Sequence, residues 1–182
     1  MHIFLTGRTQ IGKSTLIKKY IAAKGLAVCG FASVWGMPAE DGGRRLYMHP
    51  YGKIGENTEE NLLARFLPDS PSATRFSQVF DTLGTELLTP RADADLLVMD
   101  ELGFLESDSP VFQAAVLSAL DGKLPVFGVI KPRSTPFLDA VRSHPKVRVL
   151  EVEVFYHNIL RLMKPASVKP LEQSPSFGSN YV

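Results

Sequence analysis

Gly7, Gly12, Lys13 and Ser14 stand at the spacing G-x-x-x-x-G-K-[ST], the pattern of a phosphate-binding loop. Glycines at those points let the backbone approach a phosphate without a Cβ in the way, and successive N–H groups ahead of a helix supply donors and positive potential. In that chemistry the segment Gly7, Arg8, Thr9, Gln10, Ile11, Gly12, Lys13, Ser14, Thr15 cradles the phosphates of a nucleotide. Lys13 reaches the β- and γ-phosphates, and the Ser14 hydroxyl ligates Mg²⁺. The flanks suit the motif. Ile3, Phe4 and Leu5 form a short apolar run before it, and Leu16, Ile17, Tyr20 and Ile21 recur at helical spacing after it.

A second acidic position completes the first. The apolar run Leu96-Leu97-Val98-Met99 ends in Asp100-Glu101. Such a run fits a parallel strand buried on both faces, and its end delivers a carboxylate to the sheet edge where open α/β folds bind ligands. Asp100 is therefore expected to meet the Mg²⁺, directly or through one of its ligands. Glu101 is placed to orient or deprotonate a water that attacks a γ-phosphate.

Stepping from these residues to the elements that carry them, strands and helices alternate. Residues 27–35 and 44–50 read as two strands around the turn-rich Pro38-Ala39-Glu40-Asp41-Gly42-Gly43. Helices are expected over residues 59–66 and 76–87. Ser109 and Pro110 open a further helix that Asp121-Gly122 closes. Residues 126–130 form a buried strand, Thr135-Pro136 starts a helix, residues 147–154 alternate as a strand, and residues 157–163 form a last short helix. This order implies an α/β fold with a mostly parallel sheet, helices on both faces and an early antiparallel hairpin. Residues 1–164 are expected to be one domain and residues 165–182 a mobile Pro/Ser-rich tail. Residues 52–60 with Asn61 are read as a flap, while Trp35 and the phenylalanines are assigned to the core.

With 182 residues, 45% of them hydrophobic, the chain suits one well-buried domain. A formal charge of +1 gives no pull toward nucleic acid or anionic membranes. No apolar stretch approaches the roughly 20 residues needed to span a bilayer. The single cysteine, Cys29, reads as a small buried hydrophobe, and four scattered histidines lack metal spacing. A cytoplasmic location is expected. Oligomeric state is not specified, a monomer being the simpler expectation.

Over residues 1–163 the chain resembles the small P-loop nucleoside-triphosphatases first described from thermophiles, a family that includes the cancer-related nucleoside-triphosphatase. The resemblance rests on the opening through Gly12-Lys13-Ser14-Thr15-Leu16, on Gly30-Phe31 with Gly42-Gly43-Arg44-Arg45, and on Asp100-Glu101-Leu102-Gly103-Phe104-Leu105-Glu106. Phe112, the Lys123–Pro125 lead-in and Asn158 also match. It implies a RecA-like sheet and Mg²⁺-dependent hydrolysis of nucleoside triphosphates with loose base preference. Two positions depart from the family pattern. Gln10 replaces the middle glycine of the loop, and Asn158 is followed by Ile159, with Arg161 beyond.

A RecA-like order would set the strand 126–130 between the loop strand and the acidic strand. Lys131 and Arg133 then become candidates to stabilise charge at the γ-phosphate, ahead of Arg44 and Arg45. Glu106 either bonds within the site or starts a polar turn. Two other functions share this loop: a nucleotide or nucleoside kinase, which needs an acceptor site, and a slow nucleotide-dependent switch. The acid after Asp100 favours water as acceptor.

Overall fold

A computed structural model describes residues 1–152 of the chain. Side chains along its central strands leave the sheet alternately on opposite faces and so feed two cores. Phe4 of β1 (His2–Thr6), Leu97 and Met99 of β6 (Leu96–Leu102) and Ile130 of β7 (Val126–Ile130) enter one core. Leu5, Leu96, Val98, Phe127 and Val129 enter the other. Unbroken apolar runs in these strands are the consequence: both faces need carbon. The second core is closed by Leu16 and Ile17 of α1 (Lys13–Lys24). The first is closed by Phe112, Val116 and Leu120 of α4 (Pro110–Asp121) and by Phe137, Leu138 and Val141 of α5 (Pro136–Ser143).

Among the described residues, eight strands make one mixed sheet in the order β5 (Thr74–Arg75), β4 (Leu62–Phe66), β3 (Arg44–Pro50), β2 (Val28–Trp35), β6, β7, β1, β8 (Val147–Glu151). Strands β2 and β8 join β6, β7 and β1 in the parallel part. Strands β3, β4 and β5 extend it antiparallel from β2. As the expected order requires, β7 lies between β1 and β6.

Several local expectations are corrected. Residues 59–66 are not a helix. A 3-10 turn at Glu59–Asn61 gives way to β4, because Leu62–Phe66 can pair with the open edge of β3. The early hairpin thus grows into a three-strand extension. Residues 52–61 are tied down rather than free as a flap: His49 bonds Asn57 and the Gly55 N–H, and Asn61 caps the 3-10 turn through the Thr58 N–H. Between α2 (Ser77–Val79) and α3 (Thr85–Leu87) the helix widens into a π-turn at Phe80–Gly84. Ser109 precedes α4, but its hydroxyl donates to the Ser77 carbonyl instead of capping the helix. Gly122 closes α4 where expected, at φ −64° and so without a left-handed turn. Strand β8 ends at Glu151, before Val152 turns helical. Residues 153–154, the helix 157–163 with Asn158 and Arg161, and the tail 165–182 lie outside the described residues.

The junction of β2 and β6 depends on one glycine. Gly30 has φ +109°, and a Cβ there would sit 2.0 Å from the Val98 carbonyl oxygen. Gly30→Ala combines steric overlap with a backbone conformation hostile to L side chains, and should cost about 3 kcal/mol or more. Urea unfolding measures this; a loss below about 1 kcal/mol would show that β2 and β6 can part without consequence.

Candidate functional site

The loop between β1 and α1 turns on three left-handed residues: Gly7 at φ +130°, Gln10 at +64° and Gly12 at +95°. Nothing lies within 4 Å of a Cβ built on Gly12, so conformation alone, not crowding by protein, demands a glycine there. Gln10 adopts the left-handed backbone that the replaced glycine would take freely, at an expense on the order of 1–2 kcal/mol for an L residue. The Gln10 side chain stays exposed.

A cleft of about 360 Å³ opens at the carboxyl edge of the sheet. Loop residues Thr9, Gln10, Gly12, Lys13, Ser14 and Thr15 line one side, and Asp100, Glu101 and Lys131 line the other. Topology explains the meeting: β1, β7 and β6 are adjacent and parallel, so their carboxyl ends converge. A register slip sharpens it. Met99 pairs with Gly128 and Leu102 with Ile130, so β6 has one extra residue between those pairs. Neighbours in a regular strand face apart; the slip lets Asp100 and Glu101 both line the cleft.

Ser14 Oγ donates to Asp100 Oδ1 at 3.0 Å. Burial pushes the Asp100 carboxyl up, and the Ser14 hydrogen bond opposes that rise. Lys13 Nζ donates to the carbonyls of Gly7 at 2.9 Å and Arg8 at 2.7 Å. Burial pushes its ammonium down, while Glu101 and Asp100 pull it back up. Lys131 Nζ pairs with Glu101 Oε1 at 2.8 Å. Two cations and two carboxylates thus alternate around one space, which keeps each charge near a partner.

The donor set fits a hard cation. Ser14 and Asp100 offer oxygen, and Mg²⁺ takes few protein ligands, completing its shell with phosphate and water. Among the described residues no three of His, Cys, Asp and Glu gather to hold a metal without such help.

The other predicted residues divide. Arg8 sits exposed in the loop, and Ile11 packs against the second core. Arg133 lies over the Phe104 ring, Arg45 pairs with Asp41 at 3.0 Å, and Arg44 lies over Trp35; none of the three lines the cleft. Glu106 settles into the site: only 3% exposed, it lines the cleft and accepts the Gly103 N–H at 3.0 Å. Trp35 is a correction. It is 43% exposed at the cleft wall rather than part of the core, because β2 ends there. Ser33 lines the cleft without having been anticipated, whereas Tyr51 feels the Asp100 charge but does not line the cleft. Ser33 follows from the alternation Phe31, Ser33, Trp35, which shares one face of β2. Tyr51, pushed up to about 12 by burial and by the Asp100 charge, carried no signal in sequence.

The sequence pattern of the family described as NTPase matches residues 2–162. The nucleoside-triphosphatase THEP1 of Thermotoga maritima is 30% identical over 168 residues, which cover 88% of this chain and 91% of that protein. The protein of the same name from Methanocaldococcus jannaschii is 30% identical over 139 residues, 71% of this chain and 78% of its own. The crystal structure of THEP1 from Aquifex aeolicus superposes with a TM-score of 0.63 at 22% identity, over 91% of this chain and 100% of that one. The solution structure of a human cancer-related nucleoside triphosphatase gives 0.58 at 23% identity, over 88% and 94%. At those identities the two structures speak for the fold. No helix among the described residues is long and apolar enough to cross a membrane.

Burial raises the Glu106 carboxyl from an ordinary 4.5 to about 7. The folded chain thus holds this proton more tightly than the unfolded chain. The resulting stability is complete below the unfolded value and lost as pH rises through the folded one, at most about 3 kcal/mol. Glu106→Gln removes the titration. Between about pH 5 and about pH 8 the unfolding free energy of the wild type should fall relative to that of the variant. Parallel curves would show that Glu106 is ionised in both states.

Proposed function

The chain belongs to the NTPase family, and on that premise we propose that it is a Mg²⁺-dependent nucleoside-triphosphatase. Its substrates would be ATP, GTP and other nucleoside triphosphates, cleaved to the diphosphate and phosphate. The observation that carries this reading is the 3.0 Å bond from Ser14 to Asp100, which joins phosphate loop and acidic strand beside the Glu101–Lys131 pair.

The residues divide the work as follows. The backbone N–H groups from Gly7 to Thr15 and the N-terminus of α1 receive the phosphates. Lys13, held on the Gly7 and Arg8 carbonyls, exchanges them for phosphate oxygens. Ser14 and Asp100 would hold Mg²⁺, which when bound neutralises charge on the β- and γ-phosphate oxygens. Glu101 orients a water and takes its proton as the water oxygen bonds the γ-phosphorus and the bond to the bridging oxygen breaks. Lys131 turns from Glu101 toward the γ-phosphate, which frees the carboxylate as base and adds positive charge where negative charge develops. We place this machinery within a domain of residues 1–164 and the protein in the cytoplasm.

Lys13→Ala should lower turnover by at least about a hundredfold, as loss of a transition-state charge contact does. Asp100→Asn should weaken Mg²⁺-dependent binding of a non-hydrolysable nucleotide analogue. Glu101→Gln should bind the analogue nearly as well as the wild type and turn over slowly. Equal loss of affinity in both variants would contradict the division of roles. Lys131→Ala should lower kcat and kcat/KM together, whereas Arg133→Ala and Arg45→Ala should change neither. A silent Lys131 beside a costly Arg45 would move the charge-stabilising role to the hairpin.

A further inference from the structure

The cleft continues past Glu101 in a direction that hydrolysis does not need. Leu46, Leu63, Phe80, Phe104, Leu105 and Trp35 also line this cleft, and the part they line is its apolar lobe. In the sheet order this lobe, built on β2, β3 and β4, lies across β6 from the phosphate loop. If a nucleotide is held as proposed above, its γ-phosphate points toward β6, so the lobe adjoins the γ-phosphoryl group, on the side away from the base and the leaving diphosphate. A triphosphate has no use for carbon walls, which would strip water from its charges without replacing it. Attacking water has no use for them either. An occupant with apolar surface does.

The lobe also has a preset aromatic surface. Trp35 is held by the Arg44 guanidinium 4.0 Å from its ring centroid and by Phe66 at 5.2 Å, and it still presents exposed ring. Leu46 pairs directly opposite on β3. A tryptophan fixed in advance loses little freedom on stacking a planar ring. Size limits the guest. The whole cleft measures about 360 Å³, near the lower end of ligand pockets, and phosphates take part of it. One ring fits this room better than a second nucleotide. Ser33 and Glu106 are further polar groups that line the cleft.

We propose that this lobe is an acceptor site for a small, uncharged, planar aromatic alcohol, whose hydroxyl receives the γ-phosphoryl group in place of water. The proposal rests on the nucleoside-triphosphatase reading above. In the step, the acceptor oxygen bonds the γ-phosphorus and the bond to the β,γ-bridging oxygen breaks. The electron pair leaves with the nucleoside diphosphate, and the hydroxyl proton passes to Glu101. Without an acceptor, water enters and hydrolysis is the reaction seen.

Trp35 is the chain's one tryptophan, so its fluorescence reports on the lobe. The full chain with Mg²⁺ and ATP is titrated with pyridine-3-methanol and, as a hydroxyl-free match, 3-methylpyridine. Both should change the fluorescence saturably. With pyridine-3-methanol, its phosphate ester should appear as release of inorganic phosphate falls. With 3-methylpyridine, release should fall and no ester form. Ligand-observed NMR should show binding weakened at least about tenfold in Trp35→Leu and largely restored in Trp35→Phe, as expected for a stacking contact. Hydrolysis without any response of Trp35 to either probe overturns the lobe as a ligand site and leaves the nucleoside-triphosphatase reading intact. Binding with every phosphoryl group still passed to water overturns the acceptor role. Equal affinity in wild type and Trp35→Leu overturns the stacking platform. Failure to bind or cleave ATP at all overturns the reading beneath the proposal.

Discussion

One hydrogen bond, Ser14 Oγ to Asp100 Oδ1 at 3.0 Å, joins residues 86 positions apart and sets the constraint that the rest of the structure meets. It can form only if the loop after β1 and the end of β6 reach the same edge of the sheet. Adjacent parallel strands β1, β7 and β6 provide that edge, and their apolar residues on both faces hold it between two cores. Gly30 then lets β2 lie against β6, and β2 brings the cleft its far wall.

The charges in the cleft are arranged so that none is stranded. Lys13 rests on loop carbonyls, Asp100 on the Ser14 hydroxyl, Glu101 on Lys131, and Glu106 on the Gly103 N–H. Burial nonetheless works against the charged forms of Lys13, Asp100 and Glu106. A buried group whose charge is disfavoured gains when an oppositely charged ligand arrives. Such groups would favour an anion at Lys13 and a cation at Asp100, as the metal–nucleotide complex proposed above supplies.

The antiparallel extension β3, β4 and β5 plays a different part. It adds nothing to the phosphate loop but carries Leu46 and Leu63, the floor of the apolar lobe, on top of the core that Phe112 and Phe31 share. The π-turn at Phe80–Gly84 widens the helix where Phe80 meets the same space.

Sequence by itself determined the phosphate loop, the acidic strand end and the alternation of strands and helices. Each is local: glycine spacing, apolar runs and Thr135, whose hydroxyl caps α5 as its position implied. Family resemblance carried the strand order, which no local pattern encodes. Tertiary structure alone decided four other matters. Residues 62–66 became a strand because β3 had an open edge to pair, which overrode their helical spacing. Lys131 reached Glu101 while Arg133 turned onto Phe104, a choice of direction over two residues that depends on how the chain leaves β7. Glu106, open to either a site or a surface role in sequence, was drawn inside by the Gly103 N–H. Trp35, assigned to the core by its chemistry, came out at the cleft wall, 43% exposed at the last residue of β2. Hydrophobicity says which residues seek burial; only the packed neighbours say which of them find it.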